Sequence, residues 1–69
     1  MKYGKKVPLK THRVLAGYTQ TTFAKAVGVD RATVSLWETG THHPHGKNVA
    51  KIEELLGIKW ADDILMPNE

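Results

Sequence analysis

Between Thr19 and Glu38 the apolar residues keep helical spacing, lose it for three positions, and take it up again. Phe23, Ala24 and Val27 mark one inward stripe and Val34 and Trp37 a second, with Gly28-Val29-Asp30 between them. Two short helices joined by so tight a turn have little freedom, because their apolar stripes must face each other. The residues at the helix ends agree with this reading. Thr19 and Asp30 each stand where a side-chain oxygen can accept the unpaired N–H groups of a following first turn. Gly28 stands where the first of the two helices stops, in the left-handed conformation that glycine adopts at least cost. The pattern predicts a helix-turn-helix unit.

The rest of the chain supplies its supports. At 69 residues it is one small domain, and short-connected helices are the most economical way for it to bury a core. A first helix is expected over about 8–16: Pro8 opens it, Leu9, Arg13, Ala16 and Val14 face inward, and Gly17 stops it. An arginine in that row requires a partner, since an unpaired buried guanidinium is very costly, and Glu38 is the natural one. Tyr18 reads as a core residue of the connection. A fourth helix is expected over about 47–56 with Val49, Ile52, Leu55 and Leu56 inward and Gly57 as its stop, and a short fifth within 61–66 before Pro67 breaks it. The expected organisation is a basic arm over 1–6, the domain over 7–66 and a tail over 67–69. The arm's Lys2, Lys5 and Lys6 read either as phosphate contacts or as a solvated terminus.

Charge and composition narrow the function. Residues 1–51 carry nine Lys or Arg against Asp30 and Glu38, a net +7, whereas residues 52–69 carry Lys59 against five acids, a net −4. A basic front implies a polyanionic partner. There is no cysteine, which rules out disulfides and thiolate zinc sites and suits a reducing cytoplasm. No apolar run approaches the ~20 residues of a membrane span, so the chain reads as soluble and unexported. No nucleophile with a base and an orienting group can be assembled, and the spacing of His42, His43 and His45 is not that of a metal site. Neither an enzyme, a cofactor nor a metal is expected.

In the second helix of the unit, about 31–39, angular position divides the residues. At about 100° per residue, with Val34 and Trp37 inward, Ala32 and Leu36 lie nearly opposite with Ser35 beside them, and Arg31 is long enough to reach the same surface. The free N–H groups at the start of the preceding helix form an anion site, where Gln20 adds an amide donor and Thr21 and Thr22 serve either as caps or as phosphate contacts.

Arg13, Gln20, Phe23-Ala24, Val27-Gly28-Val29, Val34 and Trp37-Glu38-Thr39-Gly40 together resemble the phage-repressor and Cro (lambda-repressor-like, XRE) family of helix-turn-helix proteins, over roughly residues 9–65. The resemblance implies an all-α, five-helix DNA-binding domain in which Arg13 and Glu38 form a partly buried pair and Gln20 clamps the DNA backbone. It implies that Arg31, Ala32, Ser35 and Leu36 meet bases. Arg31 would reach guanine or a phosphate, Ala32 and Leu36 thymine methyls, and Thr33 and Ser35 bases or backbone. Leu36 is equally explained by cover from a neighbouring loop. Many relatives carry glutamine or other polar residues at the positions of Ala32 and Leu36. After Gly40 the family's turn lies along the sugar-phosphate backbone, a stretch occupied here by Thr39, Thr41, His43 and Lys47. Histidine facing phosphate would strengthen binding below about pH 6.5. The corner of Trp60, Ile64, Leu65 and Met66 either meets a twofold mate or completes the monomer core.

The function so implied is sequence-specific binding of double-stranded DNA as a weak dimer at a near-palindromic operator. Such a protein regulates transcription, as in a phage or prophage switch, in the cytoplasm and on the nucleoid of a bacterial host. The rival reading is a protein-interaction module of the same fold, partnering a repressor, a toxin or a polymerase subunit.

Overall fold

The computed structural model describes residues 6–67. They form five helices: α1 Leu9–Leu15, α2 Gln20–Val27, α3 Arg31–Thr39, α4 Lys47–Leu56 and α5 Trp60–Asp63. Lys2 and Lys5 of the expected arm, and residues 68–69 of the expected tail, lie outside the described residues.

The α2–α3 pair is built as the spacing requires. Thr19 accepts the Thr22 N–H at 3.0 Å while the Thr22 hydroxyl accepts the Thr19 N–H at 2.9 Å, a reciprocal cap that assigns Thr22 to the helix end. Gly28 closes α2 at φ 98°, and its N–H and that of Val29 both reach the Ala24 carbonyl, at 2.8 and 2.9 Å. Asp30 occupies the capping position of α3, but its carboxylate accepts no N–H there; its carbonyl receives Thr33 and Val34 instead. The expectation of a side-chain cap at Asp30 is therefore corrected. Phe23 and Ala24 from α2 meet Val34 and Trp37 from α3 in one core with Leu9, Ile52, Ile64 and Met66. Tyr18 sets its ring edge-on to Phe23 with centroids 5.4 Å apart.

Helix α1 is shorter than expected. Pro8 is its extended N-cap, and its carbonyl accepts the N–H groups of Thr11 and His12. Only Leu9 and Arg13 are buried; Val14 is 55% exposed and Leu15 73%, while Ala16 has passed into the turn. Two helical turns can present one narrow stripe, so the wider inward face expected to include Val14 and Ala16 does not form. His12 instead ties α1 to the far end of the chain through Nε2 and the Asp63 carbonyl, 2.8 Å apart.

The fifth helix begins at Trp60 and lasts a single turn. Two carboxylates receive its opening N–H groups: Glu53 accepts Trp60 at 2.8 Å and Asp63 accepts Lys59 at 2.9 Å. From Ile64 the backbone is extended and pairs in parallel with Val7, with Val7 N–H on the Asp63 carbonyl and Leu65 N–H on the Val7 carbonyl. Side chains therefore alternate, so Ile64 and Met66 are 2% and 4% exposed and Leu65 43%.

The two N-caps of the central pair yield a paired expectation. In urea denaturation Thr19→Ala should cost about 1 kcal/mol, whereas Asp30→Ala, which removes no bond, should stay within about 0.5 kcal/mol.

Candidate nucleic-acid interface

Burial of Val34 and Trp37 fixes the rotation of α3, so Arg31, Ala32 and Leu36 are exposed on its far side and Thr33 and Ser35 are half-covered at its flanks. Leu36 is 37% exposed. A second constraint holds α3 at its C-terminal end. Arg13 Nε donates to Glu38 Oε2 at 2.6 Å, Nη2 reaches Oε1 at 3.4 Å, and Nη1 donates to the Tyr18 carbonyl at 2.8 Å. Both side chains are 7% exposed. The guanidinium thus joins α1 and the α1–α2 connection to the last turn of α3.

Gln20, the first residue of α2, is half-buried, and its amide is engaged at both ends. Nε2 donates to Glu38 Oε1 at 3.0 Å, and Oε1 accepts Arg31 Nη1 at 3.2 Å. Sequence reading missed the Gln20–Arg31 contact. Both residues open a helix, and the crossing of those helices is what brings them together. Thr21 is exposed at the same helix start, free of the capping that occupies Thr22.

Beyond α3 the turn uses its first amides internally. Thr41 and His42 N–H groups both go to the Leu36 carbonyl, at 3.0 and 3.2 Å, and Gly40 N–H is bonded back into the same turn at φ 81°. The Thr39 hydroxyl donates to that Leu36 carbonyl as well and lies 3.0 Å from the Thr41 hydroxyl. The side chains of Thr39, Thr41, His43 and Lys47 along this turn are all exposed. Pro44 is buried and pins the loop, leaving His43 and His45 exposed on either side of it. Among the described residues no three His, Cys, Asp or Glu side chains gather as metal ligands, and no helix is long and apolar enough to cross a membrane.

The corner formed by Trp60 to Met66 differs from an exposed four-residue patch. Ile64 and Met66 belong to the core and Trp60 packs partly against it, so Leu65 is the large apolar side chain that faces outward there. Of the four residues expected either to meet a twofold mate or to complete the monomer core, Ile64 and Met66 thus do the latter, while Leu65 and part of Trp60 stay uncovered.

The chain matches a family model described as Helix-turn-helix over residues 9–62. It is 39% identical over 54 residues to the uncharacterized HTH-type transcriptional regulator MJ0272 of Methanocaldococcus jannaschii, covering 78% of this chain and 82% of that one. It is 40% identical over 52 residues to the uncharacterized HTH-type transcriptional regulator YqaF of Bacillus subtilis, covering 75% of this chain and 68% of that one. No solved structure matches the chain at the same stringency.

Breaking the pair from one side should be far worse than replacing it. Arg13→Ala leaves a carboxylate buried without its cation and should cost about 3–5 kcal/mol, enough to unfold much of so small a domain. Arg13→Met with Glu38→Leu should recover a large part of that loss in thermal denaturation, with α3 less firmly held.

Proposed function

This chain belongs to the XRE-type helix-turn-helix family, and we propose on that premise that it is a sequence-specific regulator of transcription acting on double-stranded DNA. Both relatives are named as HTH-type transcriptional regulators. The observation that carries the reading is the outward face of α3, where Arg31, Ala32 and Leu36 stand exposed on a helix whose opposite side is locked into the core. An α-helix fits the major groove, and these side chains suit base edges there. Arg31 can donate a parallel pair to guanine O6 and N7, Ala32 and Leu36 can meet thymine methyls, and Ser35 can bond to a base edge.

Phosphates flank that groove on both sides. At the start of α2, Thr21 and the open end of the helix face one strand; Thr33, Thr39, Thr41, His43 and Lys47 face the other. These contacts supply most of the affinity and none of the sequence information. The net +7 of residues 1–51, against −4 for residues 52–69, supports that docking.

The finer reading follows the repressor and Cro resemblance. Two copies meet weakly through the Leu65 and Trp60 corner, tighten on DNA and place their α3 helices in successive major grooves ~34 Å apart, so that the operator is a near-palindrome. Regulation comes from occupying that operator and excluding or recruiting RNA polymerase. The role requires no catalysis. A phage or prophage switch, opposed by a second regulator and acting on the nucleoid, is the setting this fits.

A second reading rests on Val14 and Leu15. These side chains lie on the solvent side of α1, exposed by more than half, and would suit a protein partner for a module of this fold.

Selection of bound sites from random duplex DNA at two salt concentrations separates the two. The expected result is an enriched near-palindrome whose base preferences change in Arg31→Ala and Leu36→Ala. Lys47→Ala should weaken binding about equally on all sequences and lower the salt slope by about one. Weak binding with no enriched sequence, together with a stable complex lost in Leu15→Ser, would favour the protein-interaction module.

A further inference from the structure

Helix α5 is a single turn, and a turn of four residues does not hold its own shape in water. Its geometry depends on bonds at its two ends. At the start, Glu53 of α4 accepts the Trp60 N–H at 2.8 Å. At the end, the Asp63 carbonyl meets Nε2 of His12 at 2.8 Å and also accepts the Val7 N–H at 3.2 Å. From Ile64 the chain is extended, and the Leu65 N–H bonds to the Val7 carbonyl at 3.0 Å. His12 is half-buried on α1, next in sequence to the Arg13 that holds α3.

Resting on the reading of this chain as a dimer on DNA, we infer that His12 is a positioning residue for the contact between the two copies. A carbonyl can only accept, so Nε2 carries the hydrogen and donates it. That bond fixes the carbonyl of the last residue of α5, and with it the direction in which Ile64 and Leu65 leave. Trp60 and Leu65, the side chains left uncovered at this corner, stand on either side of that point: one opens α5 and the other lies two residues past its end. With Glu53 holding the start and His12 the end, their separation is set before a mate arrives.

Without the imidazole, the Asp63 carbonyl would keep the longer bond from Val7, and the exit from α5 would rest on backbone pairing. A corner that samples several arrangements must be ordered when two copies meet, and their cooperation on a full operator is weaker for it. The reading face has its own supports in Val34, Trp37 and the Arg13–Glu38 pair. His12 therefore acts on the pairing of copies and not on what each copy reads.

The test compares a palindromic duplex obtained by selection with the same duplex scrambled in one half, which offers a single half-site. His12→Met removes the donor and keeps the bulk, whereas His12→Gln restores an N–H donor at similar reach. Circular dichroism and thermal melting establish that each variant is folded. His12→Met should weaken binding to the full duplex by about tenfold and bring the Hill slope toward one, with half-site affinity unchanged. His12→Gln should bind both duplexes as wild type does. Once Leu65 is serine, His12→Met should have no further effect. An equal loss on the two duplexes would make His12 a support of the fold or of Arg13 and overturn the inference.

A measurement without DNA keeps the two claims apart. In the free wild-type protein the His12 Nε2–H should exchange slowly with water, and the Leu65 amide should lose protection in His12→Met and keep it in His12→Gln. A wild-type imidazole N–H that exchanges as freely as in a peptide would show that there is no tether, and would overturn the inference even for a protein that binds DNA as a cooperative dimer. A wild-type chain that selects no palindrome, or binds full and half duplexes alike, would sink the dimer reading and the role with it.

Discussion

A guanidinium and a carboxylate, both nearly out of water, join the first helix to the third, and the rest of the structure depends on that pair. Charges taken from water destabilise unless every polar atom is answered. Here Arg13 spends Nε and Nη2 on Glu38 and Nη1 on the Tyr18 carbonyl, and among the described residues no buried side-chain nitrogen or oxygen is left without a partner. Such a pair adds less to stability than to uniqueness. If α3 slid or rotated by one residue, Glu38 would leave Arg13 alone in the core, and that alternative is excluded by several kcal/mol. Packing of Val34 and Trp37 holds the inward face, the ion pair holds the angle, and Arg31, Ala32 and Leu36 point outward as a consequence.

How much of this was legible in the residues differs by element. The α2–α3 unit was read almost as it stands, because its stripes repeat at 3.6 residues and glycine punctuates both ends. Arg13 and Glu38 were legible for a related reason, as a charge in an apolar row is a question with few answers. The misses have physical causes as well. Ile58 to Met66 looks like one more helical stripe, but α5 ends after a single turn at Asp63, and from Ile64 the chain is extended and paired with Val7. A change of period inside a short apolar run cannot be seen from the run itself. At Asp30 the residue type is right for a cap, and no sequence rule says whether its oxygen turns inward.

The candidate site was less legible than the fold. Angular arithmetic located Arg31, Ala32, Ser35 and Leu36, since it needs only the inward direction. Side-chain partnerships across the turn were invisible, because Gln20 and Arg31 stand eleven positions apart and meet only once two helices cross. The turn after α3 shows the same limit. The Thr41 and His42 N–H groups both turn back to the Leu36 carbonyl, a partnership that the residue types do not announce. Hydroxyl, imidazole and ammonium groups of Thr39, Thr41, His43 and Lys47 stand exposed there.

The central claim is that one face, the outward side of α3 with the start of α2 and the turn beyond Gly40, meets DNA. Titration of the labelled protein with a short duplex, followed by backbone amide chemical shifts, tests it directly. The largest shifts are expected at Thr21, Arg31, Ala32, Ser35, Leu36, Thr41 and Lys47, with the exposed Val14 and Leu15 of α1 unmoved. Shifts concentrated on Val14 and Leu15, or spread without a focus along the basic residues, would contradict it.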